Sequence, residues 1–136
     1  MKRHFLSLLS GLILASAVQA QDHCPGSAPL DALAARIAPN PVCATSLSQS
    51  GQTSQHCRWG FDYRAAAAEA LYAQIEQISA ACFGDISATP NAPDVNHPDS
   101  YLIRQFTGQG IEVSVSLKDK AALDQSFVFW RVTPLS

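Results

Sequence analysis

Four cysteines, Cys24, Cys43, Cys57 and Cys82, constrain this chain more than any other feature. An even count in a short exported chain reads as two disulfides, because a small domain gains from cross-links and an oxidising compartment lets them form. Zinc is the alternative use of four thiolates. It wants ligands paired about two to four residues apart, and the gaps here are 19, 14 and 25. A redox pair wants a Cys-x-x-Cys at a helix start, and the sequence has none.

The amino terminus supplies the exported context. Lys2, Arg3 and His4 give a positive start, and the run from Phe5 to Val18 is apolar apart from small Ser7, Ser10, Gly11 and Ser16. Val18-Gln19-Ala20 then sets small or modest side chains before Gln21. These are the three parts of a secretory signal. The apolar run has 14 residues, whereas a membrane span needs about 20. Polar Gln19, Gln21, Asp22 and His23 follow it without a stop-transfer pattern. Residues 1–20 are therefore expected to be cleaved, leaving 21–136 as one disulfide-bonded domain, periplasmic or secreted. Lipidation at Cys24 is disfavoured, because Gln21-Asp22-His23 is not a small, apolar lead-in.

Loss of Lys2 and Arg3 leaves seven of the nine basic residues against eleven acidic ones, a net charge near −4. Nucleic acid needs a basic footprint and an anionic membrane surface needs a polybasic patch, so neither is an expected partner. No later segment is apolar enough for a membrane span.

Residue patterns predict an α+β domain: a long amphipathic helix and a short N-terminal helix on an antiparallel sheet of four to five strands, with two disulfides. The short helix opens at Pro29-Leu30-Asp31, has Leu30, Leu33, Ala34 and Ile37 on one face, and stops at Pro39 and Pro41. Strands are expected over 42–48 and 55–61, joined by the polar 49–54 connection, with Cys57, Trp59 and Phe61 on one face. Asp62 is the expected N-cap of a helix over 63–82. Gly84 ends it, and Ala68, Leu71, Ile75, Ile78 and Cys82 form its buried stripe. Residues 87–100 read as an irregular connector with Pro90, Pro93 and Pro98. A hairpin follows, turning at Gly108-Gln109-Gly110 into Ile111–Leu117, where Ile111, Val113, Val115 and Leu117 alternate with polar residues. Residues 118–125 read as a polar turn in which Lys118, Asp119 and Lys120 are solvated. The last strand covers 127–132.

Four cysteines allow three pairings. Placing Cys57 on a core-facing strand and Cys82 on the core stripe of the long helix favours Cys57–Cys82 with Cys24–Cys43. The rival is Cys43–Cys57 across the first hairpin.

No catalytic or cofactor motif stands out, and no cofactor is expected. The segment from Asp94 to Ser100 gathers carboxylates, an imidazole and a hydroxyl, so Asp94, His97 and Asp99 are weak candidates for a metal. The alternative is an ordered connector whose Asn and Asp side chains satisfy nearby backbone donors. A hydrolytic set of Ser100, His97 and Asp99 is disfavoured, because adjacent residues do not point at one another as triad members must. The stronger interaction candidate is the last strand. If Val128, Trp130 and Val132 face the helix, then Phe127, Phe129 and Arg131 face away and form an apolar patch with a charged rim. The alternative is that the short helix or the proline loop covers them. Asn96 and His97 are candidate contacts of a partner-binding loop. The functional expectation is a small exported, non-enzymatic protein that binds another protein or an envelope component, of inhibitor, immunity or accessory type. A metal-binding protein or metal-dependent enzyme using the Asp94–Asp99 loop is the alternative.

Overall fold

A computed structural model describes residues 24–84, 86–88 and 99–135. Within them the chain runs α1 (Leu30–Ile37), β1 (Val42–Leu47), β2 (Thr53–Asp62), α2 (Ala66–Phe83), β3 (Ile86–Ala88), β4 (Tyr101–Gly108), β5 (Ile111–Lys120) and β6 (Gln125–Pro134). The strands form one sheet in the order β1-β2-β6-β5-β4-β3, and every pairing is antiparallel. Five strands are long; the sixth, β3, has three residues and runs into the start of the segment expected to be irregular.

Turn chemistry explains most of this register. Gly108 pairs with Ile111, so the β4–β5 loop is the two residues Gln109 and Gly110. Both have positive φ, 53° and 75°. A two-residue loop with two left-handed residues matches the right-handed twist of its strands. One 3-10 turn, Ala121–Leu123, and left-handed Asp124 join β5 to β6. The β5 strand is longer than expected. It continues through Lys120, so Lys118, Asp119 and Lys120 are strand residues rather than turn residues.

Period-two alternation divides the sheet into two faces. Cys57 and Trp59 of β2, Phe106 of β4, Val113, Val115 and Leu117 of β5, and Val128 and Trp130 of β6 form the inner face. They make one core with Leu30, Leu33 and Ala34 of α1 and Ala68, Leu71 and Ile75 of α2. Both helices therefore cover the same face. An 18-residue helix is about 27 Å long, enough to cross the roughly 19 Å that separates β2 from β3 at normal strand spacing. Helix α2 does so, packing on β2, β6, β5 and β4 and ending with Phe83 against Gly108.

The start of α2 differs from expectation. Asp62 does not cap it, because Asp62 still pairs with Gln125 at the end of β2. The chain turns at left-handed Arg64, whose N–H donates to Ser126 Oγ at 2.8 Å, and the helix begins at Ala66. Its buried residues are Ala68, Leu71, Ile75 and Ser79. Ile78 and Cys82 are half-buried.

The disulfides join Cys24 to Cys82 and Cys43 to Cys57, which corrects the favoured pairing. Strand order is the reason. Cys57 sits mid-way along β2, directly opposite Cys43 on β1, whereas the carboxyl end of α2 has crossed to the far side of the sheet beside Gly108. The amino-terminal arm reaches that same region, with Gly26 close to Ile111, and so Cys24 meets Cys82. Among the described residues no helix is long and apolar enough to cross a membrane.

Candidate functional site

The outer face of the sheet carries a different chemistry from the inner one. Its β6 positions are Phe127, Phe129, Arg131 and Thr133; those of β2 are Ser54, His56, Arg58, Gly60 and Asp62. From β5 come Glu112, Ser114, Ser116, Lys118 and Lys120, and from β4 Tyr101, Ile103, Gln105 and Thr107. Four of the seven basic residues of 21–136 thus stand on this face: Arg58, Lys118, Lys120 and Arg131.

Phe127, Phe129 and Arg131 do face away from the helices. Val128 and Trp130 between them are fully buried, the two phenylalanines are half-buried, and Arg131 is exposed. Helix α1 does not cover the patch. It lies on the inner face, where Trp59 Nε1 donates to the Ala38 carbonyl at 3.3 Å and Leu30 N–H donates to Gln55 Oε1 at 2.9 Å. Residues 89–98 of the proline loop lie outside the described residues, and among the described residues the rings pack on their own neighbours. Phe127 and Phe129 lie 6.1 Å apart at 43°. The Arg58 guanidinium lies over the Phe127 ring at 5.5 Å. Lys118 Nζ lies 5.0 Å from the centroids of both Phe129 and Tyr101. Phe127 also fills the space above side-chain-less Gly60, its cross-strand partner. The result is a row of rings and cations across β2, β6, β5 and β4, in which diagonal neighbours reach one another as long side chains on a sheet can. Sequence reading found the β6 members of this row by parity. It missed Arg58, Lys118 and Tyr101, because they join it only through strand neighbours that the sequence does not reveal. At the Tyr101 end a shallow cleft of about 280 Å³ is lined by Asp99, Ser100, Tyr101, Lys118 and Lys120.

A second polar group lies under the inner rim. Asp119 is 7% exposed and accepts from Ser100 Oγ at 2.5 Å, Ser126 Oγ at 2.6 Å and Arg64 Nε at 3.2 Å. Burial pushes its carboxyl up. The hydrogen bonds from Ser100, Ser126 and Arg64, with the Arg64 charge, outweigh burial and hold it below the ordinary aspartate range. The set joins the turn before α2, the start of β4 and the start of β6. Its parity was available in the sequence, since the β5 alternation carries on from Leu117 to Asp119.

Ser100 Oγ donates to Asp119. Asp99 accepts from the Ala121 N–H at 2.9 Å. Asp94, Asn96 and His97 lie outside the described residues. Among the described residues no group of three or more His, Cys, Asp or Glu is placed to hold a metal. Burial pushes the Tyr72 hydroxyl of α2 up to about 12, with the Glu76 carboxylate adding to the shift.

No protein-family model matches this chain, and no curated protein matches it. Among solved structures, CalU16 from Micromonospora echinospora is similar at 13% identity, over 71% of this chain and 69% of that one, with a TM-score of 0.35. That likeness is too distant to carry an argument about fold or function.

Proposed function

We propose that this chain is an exported, non-enzymatic binding domain that docks another protein or an envelope component on the outer face of its sheet, as an inhibitor, immunity or accessory protein does. One observation carries the reading: both helices pack on the inner face, and the outer face holds a continuous row of three rings and their cations. Aromatic and arginine side chains held in place on a flat surface are the residue types that anchor protein interfaces, because they bring large contact area at small entropic cost.

Two further features agree. Two disulfides suit a domain that folds on the oxidising side of a membrane, and the residue pattern of 1–20 is that of a cleaved signal. Periplasm or extracellular medium is the compartment proposed. Among the described residues all four thiols are in disulfides and Asp119 is held by three donors.

The test compares the oxidised protein with its Phe129→Ser/Arg131→Glu variant as bait against the native envelope. The reading expects a partner held by the first and lost with the second while the circular dichroism of both is the same. A partner retained by the variant, or none held by either, contradicts it.

A further inference from the structure

We infer that the partner is a protein presenting an acidic surface, with carboxylates around one or more apolar side chains, to the ring-and-cation row of the outer face. The inference rests on the reading that this face is the binding surface, and it adds the partner's chemistry.

Charge placement is the first ground. The chain from residue 21 carries a net charge near −4, yet four of its seven cations stand on one face of the sheet against two carboxylates, Asp62 and Glu112. An acidic molecule with a cationic face is steered in one orientation toward a negative target.

The second ground is how the cations are used. Two of the three cations off this face have carboxylate partners: Arg64 with Asp119 at 3.2 Å, beside its contact with the Tyr63 ring, and Arg104 with Glu76 at 3.5 Å. Among the described residues, Arg58 and Lys118 on the outer face have aromatic rings instead. A ring fixes a cation's position without neutralising it, so these charges are ordered in advance and still able to receive a carboxylate. A guanidinium lying on a ring keeps its N–H edge free for the two parallel hydrogen bonds that a carboxylate accepts.

The third ground separates a protein from other anions. Single-stranded nucleic acid and sugars bind flat sheets by stacking on open ring faces. Here Arg58 occupies a face of Phe127, and Lys118 occupies faces of Phe129 and Tyr101. Phe127 and Phe129 are tilted by 43° rather than laid in a plane. Capped, tilted rings suit side chains reaching between them rather than bases lying on them.

The test pans a phage-displayed library of random peptides on the oxidised protein, with heparin fragments and oligo-dT titrated in parallel. Expected are peptides rich in Asp and Glu around an aliphatic or aromatic residue, with amide shifts centred on the outer positions of β2, β5 and β6. Binding should weaken about tenfold or more when ionic strength rises from roughly 0.05 to 0.5 M, since exposed charge pairs are screened over that range. The Arg58→Glu/Lys118→Glu/Arg131→Glu variant should lose the same peptides; if it fails to fold, the salt series and the shift map decide. Peptides that map to this face without acidic bias or salt dependence overturn the inference and leave the binding reading standing. Tighter binding of heparin or oligo-dT than of any peptide does the same. Peptides that map elsewhere, or none selected, remove both.

Discussion

Removing the Cys24–Cys82 bridge should cost this domain more than removing any other cross-link, and the chain geometry gives the size. The bridge closes a separation of 58 residues, against 14 for Cys43–Cys57. In the loop-closure treatment the unfolded chain gains about 4 kcal/mol of freedom when the long loop is opened and about 3 kcal/mol for the short one. Domains of this size have only on the order of 5–15 kcal/mol in hand, so the Cys24→Ala/Cys82→Ala variant should keep its fold but lose a large share of its margin. The assay is urea unfolding of oxidised wild type and both double variants. The long-loop variant should show the lower midpoint, with a melting temperature reduced by roughly 15 °C. Its denaturant slope should rise, because an uncross-linked chain exposes more surface on unfolding. The hairpin variant should instead loosen locally. Among the described residues edge strand β1 pairs only with β2, so amides of Val42–Leu47 should exchange faster while α2 stays protected. A long-loop cost below about 1 kcal/mol, or a hairpin cost larger than the long-loop cost, would refute the view that the first bridge acts through unfolded-chain entropy.

Asp119→Asn should destabilise the domain by about 2 kcal/mol at neutral pH, since two hydroxyls and a guanidinium lose their charged acceptor. The folded carboxyl titrates below its unfolded value. Its contribution is therefore complete above the unfolded value and disappears as pH falls through the folded one. Wild type and variant should converge in acid, and a constant gap down to the lowest pH would contradict the assignment. Ile75→Ala, at a fully buried position of α2, should cost about 2–5 kcal/mol in urea unfolding. Glu76→Gln should change stability by no more than about 0.5 kcal/mol, because its partner Arg104 is 3.5 Å away and both are about a third exposed.

How far the residues foretold this structure depends on which interactions are local. Helix α1, the Gln109-Gly110 turn and the alternation of β5 follow from propensity, turn conformation and period-two burial, all of which act within a few residues. The inward Val128 and Trp130 and outward Phe127 and Phe129 follow from the same parity. Strand order does not, because it is set by packing between distant segments. The errors share that origin. Cys57 lies on the inner face as the alternation of β2 requires, but its opposite neighbour on β1 is Cys43, and Cys82 is carried away by a helix that crosses the sheet. Asp62 looked like a helix cap because the residues alone do not show that it pairs with Gln125. The outer row was half legible for the same reason. Its β6 members could be read, while Arg58, Lys118 and Tyr101 join it across strands.

The outer face of the sheet as the docking surface can be probed most directly by site-specific photo-crosslinking in the native host. A photoreactive amino acid replaces Phe129 on that face or, as a control, exposed Gln77 on α2. A discrete adduct with one partner from position 129 and none from position 77 is the predicted result. Adducts from position 77 alone, or from neither position in cells that accumulate the oxidised protein, would contradict it.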